Sequence, residues 1–127
     1  MDGGARLEFR GAIPRGCERC DGVTYSVALV GDPLSAVAVA CDIQPQRWTA
    51  FFRELAQNCR GWPGVKTEES LEGEVLVACT SDQFGIITLR VQLRGERAGA
   101  FWRADDSVFL LAGQLDAIAR AAEEYFG

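Results

Sequence analysis

Histidine does not occur among the 127 residues of this chain. That absence excludes the Ser-His-Asp and Cys-His constellations of nucleophilic catalysis and removes the commonest metal ligand. An enzyme with this sequence would need a carboxylate, tyrosine, lysine or cysteine to transfer protons. The sequence also lacks the glycine-rich motifs that bind phosphate groups. We therefore predict a protein that is not an enzyme, with no catalytic residues and no cofactor.

Cys17 and Cys20 are separated by two residues, which is the spacing of half a zinc site or of a redox pair. Structural zinc sites need four ligands. The other cysteines, Cys41, Cys59 and Cys79, fall on positions predicted to face the core from two strands and a helix. The pair also lies in a loop between two strands, whereas a thioredoxin-type motif opens a helix. We therefore interpret the pair as two incidental thiols with no metal, and a metal or redox role is the alternative.

Two groups of carboxylates have the residue types for acid–base or metal chemistry, which requires burial to shift their pKa values. The first is the run Glu68, Glu69, Glu72 and Glu74, and the second is Asp105–Asp106. Both fall in predicted turns, where charge runs are ordinarily solvated. The functional alternative is an acidic docking patch beside Trp62, which we predict to be partly exposed and to act as an aromatic anchor.

Hydrophobic periodicity predicts the elements that position these residues. Strands are predicted at about 5–11, 23–30, 35–43, 74–80, 86–94, around Phe101–Trp102 and at 108–111, with helices at 45–58 and from Gly113 onward. Residues 67–74 are predicted to be a loop or an irregular edge strand, and turns are predicted at 94–97 and 104–106. The order is βββ–α–ββββ–α. Because the links between strands are short, we predict an α+β fold with one mainly antiparallel sheet of six to seven strands and both helices on one face.

Alternation along the strands gives this predicted sheet two different faces. One face is aliphatic and would be covered by the helices: Val27, Val39, Val77, Leu89 and Val91. The first helix carries the apolar stripe Trp48, Phe51, Phe52, Leu55 and Cys59, so we expect Phe51, Phe52 and Leu55 to pack against Leu89 and Val91. The opposite face is small or polar: Thr24, Ser26, Ala36, Ala38, Thr88, Arg90 and Gln92. That face is either solvated or a second partner surface.

Length and charge limit the classes of function. A chain of 127 residues is expected to form a single domain, 1–127. Its formal net charge is −5. The acidic balance argues against binding to nucleic acid or to an anionic membrane surface and is compatible with a basic protein partner. The N-terminal stretch is acidic and polar, and no apolar run approaches the ~20 residues of a membrane span, so we expect a cytoplasmic protein. Twelve of the thirteen basic residues are arginine, which is typical of a GC-rich bacterial genome.

The layout W-x-x-F-F-x-x-L, G-W-x-G, L-x-V-x-L and G-Q-L resembles a family of small uncharacterised proteins of actinobacteria and other bacteria, a domain of unknown function, over about residues 22–126. Its members are similar in size and layout to immunity proteins that neutralise toxins. The residues that carry the resemblance are Trp48, Phe51, Leu55, Gly61, Trp62, Gly64, Leu89, Val91, Leu93, Gln114 and Leu115. Nearly all of them are packing or turn residues, so the resemblance implies a fold and not an active site.

Two functional hypotheses follow from these patterns. The first is a protein-binding module, immunity- or inhibitor-like, which could also form a homodimer. Its candidate contact residues are Trp62, Glu68, Glu69, Glu72, Arg90 and Gln92. The second is a small-molecule binding protein or an atypical enzyme, with a pocket between the sheet and the helices near Trp62.

Overall fold

The computed structural model describes residues 5–11, 23–31, 34–82 and 84–127, so the Cys17–Cys20 pair lies outside the described residues. The strands are β1 Arg6–Arg10, β2 Val23–Val30, β3 Ser35–Asp42, β4 Lys66–Glu69, β5 Val75–Ser81, β6 Ile86–Arg97 and β7 Ala100–Leu111. The helices are α1 Gln46–Gln57 and α2 Leu115–Phe126, and a short 3₁₀ turn at Ala112–Gln114 leads into α2. The α+β class is confirmed, and most element bounds lie within two residues of the predicted ones.

The strands form two antiparallel sheets, β1-β2-β3 and β4-β5-β6-β7, so the prediction of one continuous sheet was wrong. Helix α1 separates β3 from β4 in the chain. The two sheets approach each other where β2 and β3 meet β6, without a hydrogen-bonded ladder between them. Residues from both sheets enter one hydrophobic core. Alternation in the sequence identifies half-buried strands, but it does not tell whether two groups of strands share an edge or face each other.

The last two strands form one long hairpin, which corrects two predicted turns. Strand β7 is continuous through residues 104–106, and its pairing with β6 runs from Ile86 opposite Leu111 to Arg97 opposite Ala100. The chain reverses at Ala98 and Gly99, whose φ angles are 52° and 81°, and not at 94–97. Positive φ at both central residues matches the twist of a two-residue hairpin turn. Cross-strand pairing over twelve positions thus overrides the local turn propensity of the Asp-Asp dipeptide.

Helix α1 buries four of the five residues of the predicted stripe, Trp48, Phe51, Phe52 and Leu55, and α1 and α2 pack against each other. The ring of Phe9 on β1 lies 5.3 Å from the ring of Trp48 on α1 and 5.0 Å from that of Phe126 on α2. Such tilted and edge-on aromatic pairs add to the burial of apolar area. Three helix residues and two strand residues that were predicted to pack together all belong to the same buried cluster: Phe51, Phe52, Leu55, Leu89 and Val91.

The predicted faces of β3 were inverted. Val39 is 61% exposed, whereas Ala38 and Ala40 are buried. The pairing of β2 with β3 sets Ala38 opposite Val27 and Ala40 opposite Tyr25, so these alanines share the inner face with larger side chains. The alanine face of β3 is buried because the large side chains of the neighbouring elements already fill the core, and only small residues fit beside them.

The cysteines on the described elements correct a further prediction. Cys79 is buried, as expected, but Cys41 is only partly buried and Cys59 is exposed. Cys59 lies two residues beyond the end of α1, so it does not belong to the helical stripe from which its burial was predicted.

Candidate functional site

Strands β4 to β7 leave one face of their sheet uncovered by any described element, and this face is called the outer surface here. Antiparallel partners point to the same side of a sheet, so the register defines its members. They are Thr67, Glu69, Leu76, Ala78, Thr80, Ile86, Thr88, Arg90, Gln92, Arg94, Glu96, Phe101, Arg103, Asp105, Ser107, Phe109 and Leu111. Among the residues proposed from the sequence, Glu69, Arg90 and Gln92 therefore lie on one surface.

Two rows of side chains cross the middle of the outer surface. One row is Glu69, Leu76, Gln92 and Asp105, and the next is Thr67, Ala78, Arg90 and Ser107. The side chains of both rows from β5 to β7 line a shallow groove of about 450 Å³. The carboxylate of Asp105 lies 3.1 Å from Nε of Arg103. Arg90 is exposed and forms no ion pair within the described part of the chain, so its charge is available to a ligand or partner.

Apolar side chains lie at both ends of this surface. Phe109 and Leu111 are 51% and 62% exposed near Ile86, and Phe101 is 86% exposed at the other end. All three β7 residues lie on a terminal strand, since no described strand pairs with the second edge of β7. A long edge strand with exposed apolar side chains is a template for pairing with another chain.

Trp62 does not belong to the outer surface, and the prediction of partial exposure was wrong. Its side chain is 8% exposed, and Nε1 donates a hydrogen bond to the carbonyl oxygen of Cys79 over 3.2 Å. The carbonyl of a strand residue gives the indole N–H a partner inside the core, which a buried tryptophan requires. A cavity between strands and helices does exist, but it lies between β1, β7 and α2 and is not lined by Trp62.

The acidic run is divided among different environments and does not form one patch. Glu68 lies on the inner side of β4 beside Arg47, whose Nε is 3.8 Å from the Glu68 carboxylate. Burial raises the pKa of Glu68 above its ordinary value, against the opposing effect of Arg47. Glu72 is exposed in the tight turn between β4 and β5, and Glu74 accepts a hydrogen bond from Ser70 over 2.7 Å.

The second predicted partner face is divided as well. Thr24 and Ser26 lie on β2 of the three-stranded sheet, whereas Arg90 and Gln92 lie on β6 of the four-stranded sheet. These four residues cannot form one continuous surface through strand pairing, so only the Arg90–Gln92 half of that face contributes to the outer surface.

A buried polar cluster was not predicted from the sequence. The Asp42 side chain is fully buried at the end of β3, where Oδ1 accepts hydrogen bonds from Arg47 Nη2 at 3.2 Å and from the Leu71 amide at 2.8 Å. Its other oxygen accepts a hydrogen bond from the Tyr25 hydroxyl, and the oxygen of that hydroxyl accepts a hydrogen bond from Trp48 Nε1 at 2.8 Å. These residues, Tyr25, Asp42, Arg47, Trp48 and Leu71, are called the Asp42 network.

In the Asp42 network, residues of β2, α1 and the turn after β4 donate hydrogen bonds to the buried carboxylate. A carboxylate is stable in the interior only when it has such hydrogen-bond partners. Asp42 continues the alternation of Ala38 and Ala40 along β3, so all three residues lie on the same face of the strand. With the faces of β3 assigned correctly, this alternation predicts the burial of Asp42. Burial and the neighbouring carboxylate raise the pKa of Tyr25 well above its ordinary value. The Tyr25 hydroxyl therefore remains a donor at neutral pH and serves as a structural brace.

The remaining reactive groups are held apart. Adjacent residues of a strand point to opposite faces, so Asp105 lies on the outer surface while Asp106 lies on the inner side. Burial raises the pKa of the Cys79 thiol to about 12, so the reactive thiolate is scarce at neutral pH. Within the described ranges, no group of three or more cysteines and carboxylates is placed to hold a metal ion.

Comparison with known proteins gave one match. The sequence model of DUF6228, a family of unknown function, matches residues 2–127, a longer segment than the one that carries the sequence resemblance. No curated protein and no solved structure matches the chain. Among the helices of the described residues, none combines the length and the apolar character needed to cross a membrane.

Proposed function

We propose a function from the geometry, because this chain belongs to DUF6228, a family whose function is unknown. The chain is a non-enzymatic, cytoplasmic protein-binding module, and the outer surface of the four-stranded sheet is its contact site. The observation that carries this proposal is the composition of that surface, where exposed aromatic rings and arginines surround a shallow polar groove. Aromatic residues and arginine are enriched at protein interfaces.

The free edge of β7 supplies a second means of contact. An extended segment of a partner can add to such an edge through main-chain hydrogen bonds, while flanking side chains select its sequence. Phe101, Phe109 and Leu111 would flank such an added strand on the outer surface. The middle of β7 carries the Arg103–Asp105 ion pair, which would favour a strand with both signs of charge at those positions.

The partner is a protein, and the net charge of −5 favours one with a basic net charge, since opposite net charges speed encounter. At the groove itself, the unpaired Arg90 requires an acidic or polar group of that partner. An immunity protein that neutralises a toxin by binding it would be a protein of this kind, and the sequence resemblance supports proposing that form. Glu69 and Glu72 remain exposed and provide acidic contacts at the β4 end of the surface. A second copy of the chain is the simplest partner for the β7 edge, which makes a homodimer part of the same proposal.

The direct test is capture of a partner from lysate of the source cells with purified protein and two pairs of variants. Arg90→Glu reverses the unpaired charge of the groove, and Arg60→Glu reverses an exposed charge in the turn after α1 as the matched control. Phe109→Asp removes an exposed ring from β7, and Val65→Asp makes a comparable change at an exposed loop residue. Light scattering of each purified protein measures its oligomeric state before capture.

The proposal expects a partner that binds the native protein stoichiometrically and is lost with Arg90→Glu and Phe109→Asp but retained with both controls. A partner retained by all four variants would bind elsewhere and would remove the outer surface from the proposal. A native dimer that Phe109→Asp converts to a monomer would identify the partner of the β7 edge as a second copy.

A further inference from the structure

Strand β7 combines a free edge with two opposite charges at its middle. Among the described strands, β6 alone pairs with it. Arg103 and Asp105 lie on the outer surface, with side chains that are 64% and 47% exposed. Ala104 lies between them and points to the inner side of the sheet. A positive and a negative charge therefore flank one small residue, and an antiparallel copy of the same strand presents these charges in the opposite order.

The main-chain groups at this edge are available over the same segment. A two-residue turn joins β6 to β7, so Arg97 and Ala100, which flank the turn, bond to each other across the hairpin. The antiparallel pattern alternates, so the odd-numbered residues of β7 direct their N–H and C=O groups to the free edge. The N–H of Ser107 is one of these, and it already donates to Asp106 Oδ1 at 2.7 Å. The available main-chain donors therefore include those between the turn and Ser107.

The charges select the position of a two-fold axis on this edge. Such an axis places the residue through which it passes opposite its own copy. An axis at Arg103, Asp105 or Asp106 would set like charges directly opposite each other, which destabilises a sheet. An axis at Ala104 instead sets Arg103 opposite Asp105 of the second copy, and the small alanine side chains meet at the axis. Arg103 and Asp105 keep their contact of 3.1 Å within the chain, and each gains an opposite charge across the interface.

The same axis brings exposed aromatic rings of the two copies near each other. It sets Phe101 opposite Ser107 of the second copy and diagonal to Phe109, a separation of ~7–8 Å that aromatic side chains span. The central hydrogen bonds of this pairing belong to residues 103 and 105. From β7, the apolar groove beside β1 is lined by Val108 and Leu110, so β1 approaches β7 beyond the segment that forms these central bonds.

We propose that two copies of this chain pair antiparallel through β7, with the two-fold axis at Ala104, and join their four-stranded sheets into one continuous sheet. The occupant of the β7 edge is thus a second copy, and Arg103 and Asp105 determine its position. This pairing rests on the proposed function of the β7 edge as a contact site.

The test is sedimentation equilibrium of the purified full-length protein, which measures the dissociation constant of the dimer. Arg103→Asp and Asp105→Arg each convert both cross-strand pairs into like-charge pairs. An equimolar mixture of these two variants restores opposite charges at both positions, and the double variant exchanges the charges within each chain. Arg120→Asp and Asp116→Arg make the same charge changes at exposed positions of α2 as matched controls. Circular dichroism and thermal unfolding check that each variant folds like the native protein.

The native protein is expected to be a dimer, and its Kd should rise at least about tenfold in each single variant, because two attractive cross-strand pairs become repulsive. The equimolar mixture should form a heterodimer, and the double variant should again form a homodimer. Both control variants should dimerise like the native protein.

A native protein that stays monomeric at its highest soluble concentration would overturn the pairing, while the proposed capture of a different protein would still stand or fall by its own experiment. A dimer that Phe109→Asp dissociates but the two charge variants do not would overturn the axis at Ala104 and leave the β7 edge as a contact site. A dimer that none of these variants weakens would overturn both the axis and the edge.

Discussion

The Asp42 network and the outer surface of the second sheet both contain charged side chains, but only in the Asp42 network is a charged group surrounded by hydrogen-bond donors of the protein. In the Asp42 network, every oxygen of the carboxylate has a donor, and the donors come from three separate segments of the chain. On the outer surface, Arg90 is exposed without an ion pair among the described residues, and the adjacent aromatic rings face outward. The first region therefore holds the fold together, and the second is free to contact another molecule.

Breaking the Asp42 network should have the largest effect of the changes considered. Asp42→Ala leaves the Tyr25 hydroxyl and the Leu71 amide without their acceptor, whereas the half-exposed Arg47 keeps Glu68 and the Glu69 carbonyl oxygen as partners. Leaving a buried donor unsatisfied typically costs about 1–3 kcal/mol of unfolding free energy, and two donors lose their acceptor in this variant. Urea denaturation of the variant and the native protein measures the difference. A loss below about 1 kcal/mol, against that range, would mean that water replaces the hydrogen bonds of the carboxylate.

Leu89→Ala and Arg90→Ala change adjacent residues that point to opposite sides of β6. Leu89 is buried, so its truncation should lower the unfolding free energy by about 2–5 kcal/mol, as for other core leucines. Arg90 lies on the outer surface, so Arg90→Ala should change it by no more than about 0.5 kcal/mol. The two variants, measured by the same denaturation experiment, test the assignment of faces directly. Equal effects would contradict it.

Alkaline unfolding tests the Tyr25 hydroxyl. The pKa of Tyr25 is raised above 10.0 in the folded protein, so the folded state keeps a proton that the unfolded chain loses. This contribution is complete below pH 10 and declines as the pH rises further. Tyr25→Phe should cost about 1–3 kcal/mol at neutral pH and should make the alkaline decline shallower. The decline should persist in part, because the pKa of Cys79 is also raised. Parallel pH profiles for the native protein and the variant would refute this role of Tyr25.

The smallest effect on stability is expected on the outer surface itself. Phe109→Ser replaces a half-exposed ring on the free edge strand and should alter the unfolding free energy by at most about 0.5 kcal/mol. Its effect should instead be on association, measured by sedimentation or partner capture. A loss of several kcal/mol on truncation, as large as for a core aromatic residue, would place Phe109 in the core. The outer surface would then contribute to stability, as the Asp42 network does.

Much of the fold could be predicted where one local pattern suffices. The stripe of Trp48, Phe51, Phe52 and Leu55 marks α1 because a helix repeats every ~3.6 residues, and the structure buries all four. The alternation of β2 gave its bounds without error. The hairpin of β5 and β6 followed from the same alternation and from the loop around Gly85, whose φ is 83°. Each of these features depends on neighbours within a few residues.

The candidate site was predicted less well, because exposure depends on distant segments. The sequence placed Arg90 and Gln92 on a polar face, and the structure places them on the outer surface. It also suggested Trp62 as an exposed anchor, but the Cys79 carbonyl, 17 residues away, accepts the indole hydrogen bond and holds the ring inside. Glu68 and Glu69, adjacent in the sequence, were expected to act together, but strand alternation sends them to opposite sides of β4.

The sequence by itself determined the α+β class, the helices and most strands, since periodicity and turn residues act locally. Only the tertiary structure decided that the strands divide into two sheets, that Ala38 and Asp42 face the core while Val39 does not, and that β1 and β7 leave a groove between them. The reason is physical. Alternation defines two faces for every strand, but which face is buried, and which edge remains free, depends on what packs against it from elsewhere in the chain.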